Sequence, residues 1–139
     1  MEQLNESMYS EIETLSEQGN LAMERGEFNL AILYFQKSLD IIPTPKSGWE
    51  ASEWVYASLG DAYFFARRYI DSFNSFNESM LISQENTSPF VYLRIGESLF
   101  EMGDLITATE YLLRAFMLEG YEIFEEEPKK YLNLIKHLI

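Results

Sequence analysis

Tyr56-Ala57-Ser58-Leu59-Gly60-Asp61-Ala62-Tyr63 is the stretch whose spacing decides the architecture. On a helix, Tyr56, Leu59, Gly60 and Tyr63 share one face, and the glycine leaves a gap where a second helix can approach. The arrangement returns twice, as Leu15-x-x-Gln18-Gly19-x-x-Ala22 and as Tyr92-x-x-Ile95-Gly96-x-x-Leu99. Twelve residues beyond each glycine stands a small residue (Ala31, Ser72, Ala108), four further a large one (Phe35, Phe76, Leu112), and three further another small one (Ser38, Ser79, Ala115). The glycines are 41 residues apart from 19 to 60 and 36 apart from 60 to 96. Such a recurrence marks stacked copies of one supersecondary unit.

The pattern resembles the tetratricopeptide repeat (TPR), a helical hairpin of about 34 residues with a W-x-x-L-G-x-x-Y, A-x-x-x-F, P signature. Pro43 closes the first copy as that signature expects, whereas Gln84 and Gly120 stand in its place in the second and third. The resemblance implies an all-α, right-handed solenoid of three hairpins, with repeats at about 12–45, 53–86 and 89–120 and a carboxy-terminal cap at 121–139, forming one domain over 1–139. Helices are predicted near 5–25, 28–42, 48–66, 69–83, 89–102 and 104–119. Arg25-Gly26-Glu27, Ala66-Arg67-Arg68 and Glu101-Met102-Gly103-Asp104 read as turns within hairpins, and Ser88 before Pro89 as an N-cap. Leu4, Met8 and Ile12 extend the first helix at one end. At the other, Tyr131, Leu132, Leu134, Ile135, Leu138 and Ile139 form an apolar stripe that reads as a capping helix or, alternatively, a dimerisation helix.

Composition narrows the function. The 139 residues carry 23 acidic and 10 basic side chains, a formal net charge of −13, with 47% apolar residues, one histidine and no cysteine. That is too apolar for a disordered acidic tail and too negative for a surface that neutralises phosphates. Disulfides, thiolate metal sites and a cysteine nucleophile are excluded, and His137 alone cannot furnish a triad or a transition-metal cage. No G-x-G-x-x-G, P-loop, H-E-x-x-H or calcium loop occurs, and no cofactor, metal or catalytic residue is expected. Met1 to Glu13 holds four glutamates and no basic residue, unlike a signal peptide, and no apolar run is long enough to span a membrane. The reading is a cytoplasmic, non-enzymatic protein that binds neither nucleic acid nor membrane. Its oligomeric state is undetermined by sequence.

In TPR proteins the first helix of each repeat lines a concave groove. By that resemblance the groove residues include Asn20 in the first repeat, Trp54, Asp61, Phe64 and Phe65 in the second, and Phe90, Glu97, Phe100 and Glu101 in the third. Rings rimmed by carboxylates imply a binding surface for a basic protein or peptide. The alternative is that some of these rings pack under the 43–49 loop or against the carboxy-terminal helix, and that the carboxylates are merely solvated. The clamp with which TPR co-chaperones hold acidic chaperone tails maps onto Ser16, Asn20, Asp61, Phe90 and Arg94, where only Asn20 and Arg94 agree, so an acidic ligand is not expected. Arg67-Arg68 and Lys129-Lys130 read as ordinary surface charge.

The Pro43-Thr-Pro-Lys-x-x-Trp49 loop, the helix Trp54-x-Tyr56-Ala57-x-Leu59-Gly60-Asp61-x-Tyr63-Phe64 and the ending Gly120-Tyr-Glu-Ile-Phe124-Glu125-x-Glu127-Pro128-Lys-x-Tyr131-Leu132 resemble small bacterial TPR immunity proteins encoded beside Rhs and contact-dependent polymorphic toxins. That resemblance implies an immunity protein that occludes a basic toxin domain. The alternative is a chaperone or adaptor that shields a basic peptide segment of a secreted or assembly protein.

Overall fold

The glycine spacing becomes a stack of antiparallel helices in the computed structural model, which describes residues 4–139. Residues 1–3, part of the acidic amino-terminal stretch, lie outside the described residues. The helices are α1 (Glu6–Glu24), α2 (Phe28–Ile41), α3 (Glu50–Phe65), α4 (Tyr69–Ser83), α5 (Pro89–Glu101), α6 (Leu105–Glu119) and α7 (Lys129–Ile135), with single 3-10 turns at Lys46–Gly48, Gln84–Asn86, Gly120–Phe124 and Lys136–Leu138. No strand occurs among the described residues. Helices α1 and α2, α3 and α4, and α5 and α6 pair as hairpins, and α2 against α3 and α4 against α5 join them into a solenoid.

Each motif glycine faces the large residue sixteen positions on. A Cβ at Gly60 would stand 2.7 Å from Cδ2 of Phe76, and Gly19 and Gly96 meet Phe35 and Leu112 in the same way. Phe35, Phe76 and Leu112 are buried as a result, and the small residues beside them are equally enclosed. Three of those small residues add hydrogen bonds within their own helix pair: Ser38 Oγ donates to the Ile12 carbonyl at 3.0 Å, Ser72 Oγ to the Gly60 carbonyl at 2.8 Å and Ser79 Oγ to the Glu53 carbonyl at 2.9 Å. A buried hydroxyl is tolerable only when so partnered.

The three hairpin turns are built alike. The backbone N–H of Glu27, Arg68 and Asp104 donates to the carbonyl five residues back, at 2.9–3.0 Å, after a residue in the left-handed region. Gly26 and Gly103 adopt that conformation freely, but in the second hairpin it falls to Arg67 at φ 62°. Ser88 caps α5 as expected, its Oγ accepting from Phe90 N–H at 3.2 Å, with Pro89 in the first turn.

The carboxy-terminal stripe covers the third repeat only in part. Phe124, Tyr131 and Ile135 are buried against Leu93, Leu112 and Ala115, whereas Leu138 and Ile139 stay exposed beyond the end of α7. After Ile135 the helix gives way to the 3-10 turn at Lys136–Leu138.

Candidate functional site

The concave side carries α1, α3 and α5, and its two halves differ. Toward the amino terminus lies an open hollow of about 310 Å³ lined by Asn20 and Met23 from α1, Trp54, Ala57, Ser58 and Asp61 from α3, Phe90 from α5, and the edge of Phe35. Four of the predicted groove residues, Asn20, Trp54, Asp61 and Phe90, are brought together there. Tyr9, which the repeat pattern did not single out, extends the aromatic wall by meeting Trp54 edge-on at a centroid distance of 6.5 Å. On α1, Glu13, Glu17 and Glu24 share the stripe of Asn20, at seven and three residues before it and four after. All three are exposed, and among the described residues none forms an ion pair.

The other half is filled from within. Arg94 of α5 is only 6% exposed and lies between three carboxylates. Its Nε donates to Asp61 Oδ1 at 2.8 Å, and its Nη1 donates to Glu97 Oε1 at 2.6 Å and to Glu127 Oε1. The guanidinium also rests over the rings of Phe64, Phe65 and Phe90, 4.9–5.2 Å from their centroids. Five predicted partner-binding residues thus converge on a cation that the chain itself supplies.

Burial sets the protonation of this cluster. Glu97 is wholly enclosed. Burial, then a hydrogen bond with Glu127, pushes its carboxyl up to about 9, outweighing the attraction of Arg94. Its Oε2 is buried without a hydrogen-bond partner, an orphan that a neutral, protonated carboxyl tolerates better than a carboxylate. Asp61 is raised by burial, against the pull of Arg94. Burial alone would lower Arg94, but the charges of Glu97, Asp61 and Glu127 reverse this and hold its proton more firmly than usual.

Phe100 and Glu101 belong to the filled half. Phe100 meets the Tyr131 ring edge-on at 5.2 Å, Tyr131 Oη donates to Glu101 Oε2 at 2.9 Å, and Lys130 Nζ pairs with the same oxygen at 2.8 Å. Burial, followed by the bond to Glu101, keeps the Tyr131 phenol protonated well above its ordinary range. Lys130 is therefore more than ordinary surface charge, unlike Arg68, which pairs with Asp71 on the exposed side.

The expectation of five free rings is corrected accordingly. Trp54 and Phe90 front the hollow, Trp54 also packing against the core, while Phe64 packs against the core and Phe65, though 42% exposed, stacks with Phe28 at 5.5 Å. Phe100 follows the alternative of packing against the carboxy-terminal helix. Glu97 is no groove-facing carboxylate. The clamp match at Arg94 is likewise void as a ligand contact, because three internal carboxylates already hold it. Sequence spacing overlooked Arg94, Glu127 and Tyr131 as a unit; the available signal was that Arg94 is the one basic residue of α5, with Glu97 one turn on.

Solved structures of like shape identify the architecture. The first TPR of Spaghetti (RPAP3), bound to an HSP90 peptide, superposes with a TM-score of 0.73 at 19% identity over 93% of this chain and 94% of that one. The chain has the TPR fold. The Arabidopsis OM64 TPR domain gives 0.71 at 18% identity, covering 94% and 96% of the two chains. The amino-terminal domain of stress-induced protein-1 from C. elegans gives 0.69 at 16%, covering 94% and 98%. No protein-family model and no curated protein matches the sequence. Among the described residues of this TPR chain, no helix is long and apolar enough to cross a membrane, and no group of three or more acidic or histidine side chains is placed to hold a metal ion.

Proposed function

We propose that the chain is a non-catalytic, protein-binding TPR module of the chaperone or adaptor kind, which takes a basic peptide segment in the open half of its groove. The observation that carries this is the contrast within the groove: Arg94 and Lys130 are internally paired, while Glu13, Glu17 and Glu24, on the α1 stripe of the hollow's Asn20, have no ion-pair partner among the described residues. The Spaghetti (RPAP3) structure supports peptide binding by a fold of this extent, since its partner is the HSP90 peptide SRMEEVD. That peptide is net acidic, however, with three acidic residues against one arginine, and the unpaired charge here favours the opposite sign.

Occlusion of a basic toxin domain by an immunity protein is the second reading. Its support is the net charge of −13, which would speed encounter with a large basic partner. The two separate on affinity and on partner: a stoichiometric inhibitor binds a folded domain with slow dissociation, whereas an adaptor binds an extended segment in the micromolar range.

Panning a displayed library of random twelve-residue peptides against the chain tests the leading reading. Basic peptides should be enriched, and their affinity should fall at least about tenfold in Trp54→Ala. Enrichment of acidic sequences, or of peptides indifferent to Trp54→Ala, would remove the hollow from the function.

A further inference from the structure

The hollow has a chemistry more specific than a preference for positive charge. Its lining includes two aromatic rings on different helices, Trp54 of α3 and Phe90 of α5, together with Asp61 of α3. Asp61 is still 27% exposed, and of its two oxygens only Oδ1 is engaged by Arg94. Around the same Asp61 and Phe90, the chain already holds one planar cation on ring faces and carboxylates. Arg94 therefore serves as an internal template for the ligand the neighbouring space would accept.

Resting on the basic-segment reading above, we infer that the hollow is an anchor pocket for one arginine side chain of the partner, its guanidinium laid on Trp54 and bonded to the outward oxygen of Asp61. Arginine suits this site better than lysine because a flat, weakly hydrated guanidinium can stack on an indole and still present N–H groups sideways to a carboxylate. A lysine ammonium would satisfy the charge but gain less from the ring. The unpaired glutamates along α1 then orient the flanking positive charges of the segment without entering the pocket.

The test uses three capped tripeptides, acetyl-Gly-Arg-Gly-amide and its lysine and citrulline counterparts, titrated against the full chain. The readout is the Trp54 indole N–H resonance, assigned by its loss in Trp54→Phe. The arginine probe should shift it along a saturating curve, the lysine probe should bind about threefold or more weakly, and the uncharged citrulline probe should leave it in place. In Trp54→Leu, followed through the Asn20 side-chain amide, the arginine preference over lysine should vanish; in folded Asp61→Asn the arginine shift should be lost.

Equal responses to arginine and citrulline, or an unchanged curve in folded Asp61→Asn, would overturn the anchor. If library peptides still bind through Trp54 in that case, the segment-binding reading stands and only its arginine anchor fails. A saturating arginine response with no Trp54-dependent library peptide would instead keep the anchor and sink the segment-binding reading.

Discussion

The two halves of the concave groove are built from the same kinds of residue and end in opposite states. Asn20, Trp54 and Asp61 border open space, whereas Phe64, Glu97, Phe100 and Glu101 are drawn inward by Arg94 and the carboxy-terminal segment. Rings and carboxylates at groove positions therefore do not by themselves make a binding surface. What decides is whether the chain already supplies the cation they would attract.

The largest expected effect breaks the closed half. Arg94→Met leaves Asp61 and Glu127 without their shared counter-ion and Glu97 without its hydrogen-bond donor, and should destabilise the fold by about 3–5 kcal/mol in urea unfolding. A loss under about 1 kcal/mol would mean the cluster is wetter and looser than its geometry indicates.

Next in size is the exchange of roles between two rings. Phe100→Ala should cost about 2–4 kcal/mol of stability, because it empties the contact with Tyr131, and should leave peptide affinity unchanged. Trp54→Ala should do the converse, weakening binding by about 2 kcal/mol with a smaller cost to folding. Matching losses of affinity in both variants, measured by calorimetry, would erase the distinction between the halves.

A titration sharpens the same contrast. Glu97 has a folded-state pKa of about 9 against an ordinary 4.5, so between these values the folded chain binds more protons than the unfolded chain. Stability should accordingly fall as pH rises from about 5 to 9, by at most about 1.4 kcal/mol per unit from this one group. Asp61, also raised, pushes the same way. Glu97→Gln keeps a neutral side chain at every pH and should flatten the profile; an unaltered slope in that variant would assign the proton elsewhere.

The smallest effect concerns the turn of the second hairpin. Arg67→Gly relieves a left-handed backbone that glycine occupies in the other two hairpins, and should add a few tenths to about 1 kcal/mol. Any destabilisation would show that the arginine side chain has a role its exposure does not suggest.

The repeat architecture was legible because it is local: Gly19, Gly60 and Gly96 each meet a residue at one fixed distance along the chain, and Ser88-Pro89 declares a helix start. The site was legible only where the groove stayed open. Arg94 reaches Asp61 and Glu127 across 33 residues in each direction, and no periodicity encodes contacts of that kind. The turn at Arg67 was legible but its left-handed backbone was not, since hydrogen bonding in the turn imposes that conformation on whichever residue stands there.

The most direct measurement is an amide chemical-shift map of the chain with a library-selected basic peptide. Perturbations should gather on Tyr9, Asn20, Trp54 and Asp61 and spare Lys130 and Tyr131. A map centred on Arg94 to Tyr131, with α7 displaced, would show that the closed half opens to the ligand and would contradict the division of the groove.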